Sequence, residues 1–169
     1  MQRRTLLKLG LGAAALLAVA GGGLSLVRPA LVDGRMTPAA RSVFHAIARA
    51  VLDGSLPADA AQRASVLAAH LQRLDDTLAG FPAPTRTDLS QLLALLASAP
   101  GRFALAGLRA DWPEASVHEL QQAMQAMRTS NLALRQQAYH ALRDLTNAAY
   151  FADPGTWALL GYPGQRTLA

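Results

Sequence analysis

The sequence predicts an all-α protein: a single compact bundle of about five helices, with a signal peptide before it and an aromatic, turn-rich C-terminal tail. Composition is the first reason. Of 169 residues, 36 are alanine and 30 leucine, against seven valines and one isoleucine, Ile47; this favours strong helix formers over the β-branched residues that strands prefer. Apolar residues also recur at helical spacing, between prolines and glycines placed where helices stop. The length suits one domain rather than two.

The chain opens Met-Gln-Arg3-Arg4-Thr5-Leu6-Leu7-Lys8, with paired arginines, a polar residue, two apolar residues and a lysine. This pattern resembles a twin-arginine (Tat) signal, recognised through Arg3, Arg4, Leu6, Leu7 and Lys8. Residues 9–27 are uncharged and rich in Gly and Ala, and Ala18-Val19-Ala20 has the small-x-small form of a signal-peptidase site, with Ala18 and Ala20 as the small residues. The expected division is a signal peptide over residues 1–20, a linker over 21–36, a helical domain over 37–153 and a docking tail over 154–169. The alternative is a retained membrane anchor. Only eight of those 19 residues are Leu or Val, together contributing roughly −2 to −5 kcal/mol to insertion, and five glycines and Ser25 erode that.

Within the domain, Thr37-Pro38 supplies an N-cap and a first-turn proline, and Ala40, Val43, Phe44, Ile47 and Val51 form one face of an ordinary amphipathic helix that stops near Gly54. A second helix is expected over residues 57–79, with a stripe of Ala60, Ala64, Leu67, Leu71, Leu74 and Leu78 before Gly80. Phe81-Pro82-Ala83-Pro84 reads as a loop, residues 87–98 as a short helix closed by Pro100-Gly101, and residues 103–109 as a further turn or two. After the corner at Trp112-Pro113, Ser116 and Glu119 form a capping box for a helix lined by Val117, Leu120, Met124 and Met127. The stripe loses phase near Thr129-Ser130-Asn131. A last helix, residues 132–151, turns Tyr139, Leu142, Leu145 and Ala149 inward and ends at Asp153-Pro154.

Charge and residue types exclude several functions. The net charge is +5, but with Arg3, Arg4 and Lys8 assigned to the signal only 13 arginines face 11 acids, too small an excess for nucleic-acid affinity. The absence of cysteine rules out disulfides, thiolate nucleophiles, iron–sulfur clusters and thioether-linked haem. His45, His70, His118 and His140 fall on four different helices, without the i, i+3 or i, i+4 pairing of a helical metal site. They read as scattered surface or half-buried histidines; a haem or metal site assembled from them in space is the enzyme-class alternative. Asp75-Asp76 reads as a solvated face, because adjacent helical residues diverge by about 100°. No serine lies in a nucleophile elbow, and no glycine-rich phosphate loop is present. No catalytic, cofactor-binding or metal-ligating residue is therefore assigned, and no cofactor is expected.

Four of the nine aromatic residues crowd into 13 positions at the end, Tyr150, Phe151, Trp157 and Tyr162, with Gly161, Pro163 and Gly164 beside them. Such a segment either docks on a partner or folds back to cap its own bundle, and aromatic side chains suit both roles.

Taken with Trp112 and the Ser130 region, this ending and the Arg3-Arg4 signal resemble the small subunit of periplasmic flavin-dependent dehydrogenases, the gluconate 2-dehydrogenase subunit 3 type that accompanies GMC-type alcohol dehydrogenases. Phe151 stands where that family often has a second Tyr. The resemblance implies a non-catalytic subunit that binds a FAD-bearing GMC-type catalytic subunit lacking its own signal, assists its folding and escorts it through the Tat translocase. It also implies a cytochrome c subunit in the same complex, a periplasmic location, and membrane association through the complex. A stand-alone envelope protein tethered by residues 9–27 is the remaining reading.

Overall fold

The computed structural model describes residues 28–162, so the signal peptide, its Arg3, Arg4, Leu6, Leu7, Lys8, Ala18 and Ala20, and Pro163 and Gly164 of the tail lie outside the described residues. The described residues are predominantly helical, as expected, with six α-helices, one 3₁₀ helix and a two-stranded hairpin. The α-helices are α1 (Pro38–Val51), α2 (Ala60–Ala79), α3 (Ala83–Ala97), α4 (Ala99–Ala106), α5 (Val117–Arg128) and α6 (Ala133–Phe151). The 3₁₀ helix spans Pro154–Leu160. No single described helix is long and apolar enough to cross a membrane.

Helix α1 is not the one-faced amphipathic element its leucine-free stripe suggested. Ala40, Val43, Phe44 and Ile47 are buried as expected, but so are Ala46, Ala48 and Ala50 on its other sides. α2, α3, α5 and α6 all pack on it. A methyl side chain lets a neighbouring backbone come close, so the alanines make α1 the central helix around which the others assemble. The capping chemistry follows the sequence closely: Thr37 caps α1, and Ser116 with Glu119 forms the reciprocal box on α5. α2 starts slightly later than expected because the carboxylate of Asp59 accepts from Gln62 N at 2.8 Å. Its first turns reach past the core, leaving Ala60 and Ala64 exposed.

Two boundaries differ from expectation because prolines sit inside first turns, where a helix needs no N–H from them. Ala83 and Pro84 open α3 instead of belonging to a loop, and Pro100-Gly101 opens α4 instead of closing the helix before it. α3 and α4 meet at 97° across Ser98. The Ser98 hydroxyl oxygen caps Gly101 N at 3.1 Å. A Cβ on Gly101 would lie 2.1 Å from the carbonyl oxygen of Leu95, so this corner requires a residue without a side chain.

Part of the segment expected as a linker is folded onto the bundle. Leu31–Val32 and Arg35–Met36 pair antiparallel, joined by Asp33-Gly34 with both φ angles positive, at 51° and 79°. An Asp-Gly pair between short apolar strands is a type I′ hairpin signal, and it was present in the sequence. The hairpin is tied down twice. The hydroxyl of Ser90 accepts from Ala30 N and Leu31 N, each at 3.1 Å, and Met36 N donates to Asp75 Oδ1 at 2.8 Å.

Asp75 also pairs with Arg41 of α1. The expectation of a solvated acidic pair is therefore corrected: Asp76 is exposed, but Asp75 is 3% exposed and joins the hairpin, α1 and α2. Its position one helical turn from both Leu71 and Leu78 puts it on the buried stripe.

Replacing Asp75 with alanine strands the Met36 amide and leaves Arg41 without its carboxylate. Urea denaturation should show a loss of about 2 kcal/mol. Gly101→Ala should cost at least as much, about 2–3 kcal/mol in the same measurement, since backbone must move to admit the methyl group.

Candidate functional site

The residues expected to dock a partner divide into three environments. Trp112 is a core residue: it is 3% exposed and its indole N–H donates to the Leu96 carbonyl at 2.7 Å. This pins the α4–α5 connection to the end of α3; Trp112, expected with the tail aromatics to dock a partner, is buried here with its one donor satisfied. The Ser130 region is likewise a joint between helices. Ser130 Oγ accepts from Leu132 N at 3.1 Å and its carbonyl accepts from Gln136 Nε2 at 2.8 Å.

Tyr150 is also internal, 2% exposed. Its hydroxyl donates to the Ser55 carbonyl at 2.8 Å, which holds the α1–α2 loop against the end of α6. Tyr150 stands edge-on to Phe151, with ring centroids 5.1 Å apart, and to His70 at 6.2 Å. Burial raises its phenol above the usual value.

Beyond Tyr150 the chain folds back over the end of α6. Arg73 of α2 donates from Nε to the Ala149 carbonyl at 2.9 Å and pairs with Asp153 at 3.2 Å. Asp153 in turn caps the 3₁₀ helix through Gly155 N at 2.9 Å. The buried Thr156 hydroxyl lies within hydrogen-bond distance of the carbonyls of Tyr150 and Asp153. Trp157, half-buried, donates its indole N–H to the Phe151 carbonyl at 2.8 Å and meets Tyr162 edge-on at 5.4 Å. Gly161 turns the chain with φ at 68°.

Leu159, Leu160 and Tyr162 point outward, at 58%, 59% and 47% exposure. The segment thus caps its own helix with one side and presents apolar surface with the other. Phe151, Trp157, Gly161 and Tyr162 lie together here. Leu159 and Leu160, absent from the residues singled out by aromatic density, carry much of the outward surface. Their adjacency just before Gly161-Tyr162 was the available signal.

The four histidines sit on four helices, α1, α2, α5 and α6, as their spacing required. Among the described residues no group of three or more His, Asp or Glu is placed to hold a metal. His118 contacts Gln122, and His140 stands edge-on to Tyr139. His70 departs from the expectation of a surface or half-buried ring: it is fully buried and neither ring nitrogen has a hydrogen-bond partner. Spacing from Leu67 and Leu74 places it on the inner stripe of α2, a signal in the sequence that residue type concealed. Burial, reinforced by the charge of Arg73, lowers its pKa to about 4.

No protein-family model matches the chain, and neither a curated protein nor a solved structure does. What the geometry defines is a small helical-bundle domain with a self-capped apolar segment at one end.

A histidine whose pKa falls from 6.5 unfolded to about 4 folded stabilises the fold fully above pH 6.5 and progressively less as pH drops toward 4. Between pH 7 and 4.5 this linkage should remove about 2 kcal/mol. His70→Leu should remove that part of the pH dependence, read as the difference between the two proteins in urea midpoint at each pH.

Proposed function

We propose that the chain is the non-catalytic small subunit of a membrane-associated flavoprotein dehydrogenase complex, serving as folding partner and Tat export escort of the FAD-bearing GMC-type catalytic subunit. A cytochrome c subunit of the same complex takes the electrons. The observation that carries this reading is the combination of a twin-arginine leader at one end of the chain with the segment Trp157 to Tyr162 at the other.

That segment is held firmly by Arg73, Asp153, Thr156 and the Trp157 indole, while Leu159, Leu160 and Tyr162 stay exposed. A pre-ordered apolar surface binds with little entropy left to lose, which suits a subunit that joins its partner before export. The Tat route carries folded cargo, so a bound partner lacking a signal travels with the signal of its escort.

Expression of the catalytic subunit with and without this chain tests the proposal. Periplasmic flavoprotein should depend on the chain and be lost when Arg3 and Arg4 are both replaced by lysine; equal delivery in all cases would overturn it. A Leu159→Asp, Leu160→Asp double variant should retain the wild-type circular dichroism and melting temperature, because both side chains are exposed, yet lower co-purification of the flavoprotein at least about tenfold.

A further inference from the structure

A cavity of about 410 Å³ opens between the C-terminal half of α1, the α1–α2 loop and the first turns of α2. Leu56, Leu67 and Val117 are among its apolar lining, and its polar groups are His45, Arg49, Arg63 and Asp53. The charges are unbalanced. Of the 12 arginines among the described residues, four, at 41, 73, 102 and 143, pair with carboxylates; Arg49 and Arg63 are two of the eight that do not.

Each of the two instead makes one long bond to a backbone carbonyl, Arg49 Nη1 to Pro113 at 3.4 Å and Arg63 Nη2 to Ala58 at 3.3 Å. A guanidinium has five N–H donors, so most of the donors on each arginine are left for something else. The nearby acids are otherwise engaged: Asp53 accepts from Gln121 at 3.1 Å, and Asp59 caps α2 through Gln62 N. Asp53 keeps its negative charge in that contact, so the lining carries two guanidinium charges against one carboxylate, an excess of one positive charge.

We infer that this cavity binds a small amphipathic monocarboxylate, its carboxylate held by Arg49 and Arg63 and its aliphatic chain lying along Leu56, Leu67 and Val117. Arginine suits this head group because its planar fork matches the two carboxylate oxygens. His45 also lines the cavity; burial and then the charge of Arg49 lower its pKa, and the neutral ring keeps one N–H with which to donate to the ligand. The volume lies within the range of small-molecule pockets. The inference is independent of the export role, and it would stand if that role were disproved.

Octanoate is a suitable probe, titrated into the purified protein and followed by ¹H–¹⁵N NMR. Saturable shifts should appear around residues 45–67, and the pKa of the His45 ring should rise as an anion arrives beside it. Octan-1-ol, with the same chain and no charge, should bind at least about tenfold more weakly. Arg63→Gln, at an exposed position, should weaken octanoate by a similar factor with the melting temperature unchanged, and an Arg49→Gln, Arg63→Gln double variant should abolish saturation. Equal affinity for octanol, unaltered octanoate binding by the arginine variants, or no saturable shift at millimolar octanoate would each overturn the site.

Discussion

The architecture depends on how closely other helices can approach α1. Seven of its 14 residues are buried, and four of those are alanines. Phe44, Ile47 and Val43 fill the space that the alanines leave, so the central helix presents bulk on one side and close backbone approach on others. Larger residues at Ala46 or Ala48 would push neighbouring helices away and open gaps beside every residue that now packs against them. The same constraint explains why the bundle needs few large aromatic residues in its core.

Polar groups inside this packing do two different things. Asp75 is buried and satisfied, by the Met36 amide and Arg41, and so fixes where the hairpin and α1 lie on α2. His70, one turn and a residue earlier on the same helix, is buried and unsatisfied. It contributes shape against Tyr150 and is tolerated as a neutral ring. One helix thus holds both a polar clamp and a buried group that is stable there only without its proton.

Tyr150 joins three parts of the molecule. With Ala48, Leu52 and Leu67 it forms a second apolar cluster beside the main core, and its hydroxyl holds the loop that walls the cationic cavity. Its carbonyl, within reach of Thr156, anchors the segment that exposes Leu159 and Leu160. The proposed carboxylate site and the proposed docking surface therefore share a support, through Leu67 on one side and Thr156 on the other.

The helical class, the caps at Thr37 and Ser116, the break near Ser130 and the location of the aromatic segment are legible in the amino-acid order, because each rests on contacts among residues a few positions apart. That order also contains the Asp33-Gly34 turn, a signal readable as soon as its two short flanking strands are considered. Tertiary structure alone decided that Trp112 and Tyr150 face inward, that Asp75 leaves the solvent, that α1 is enclosed on several sides, and that Arg49 and Arg63 line one cavity. Those outcomes depend on which helix covers which face, and residues 14 to 95 positions apart in the chain carry no local periodicity that records their meeting.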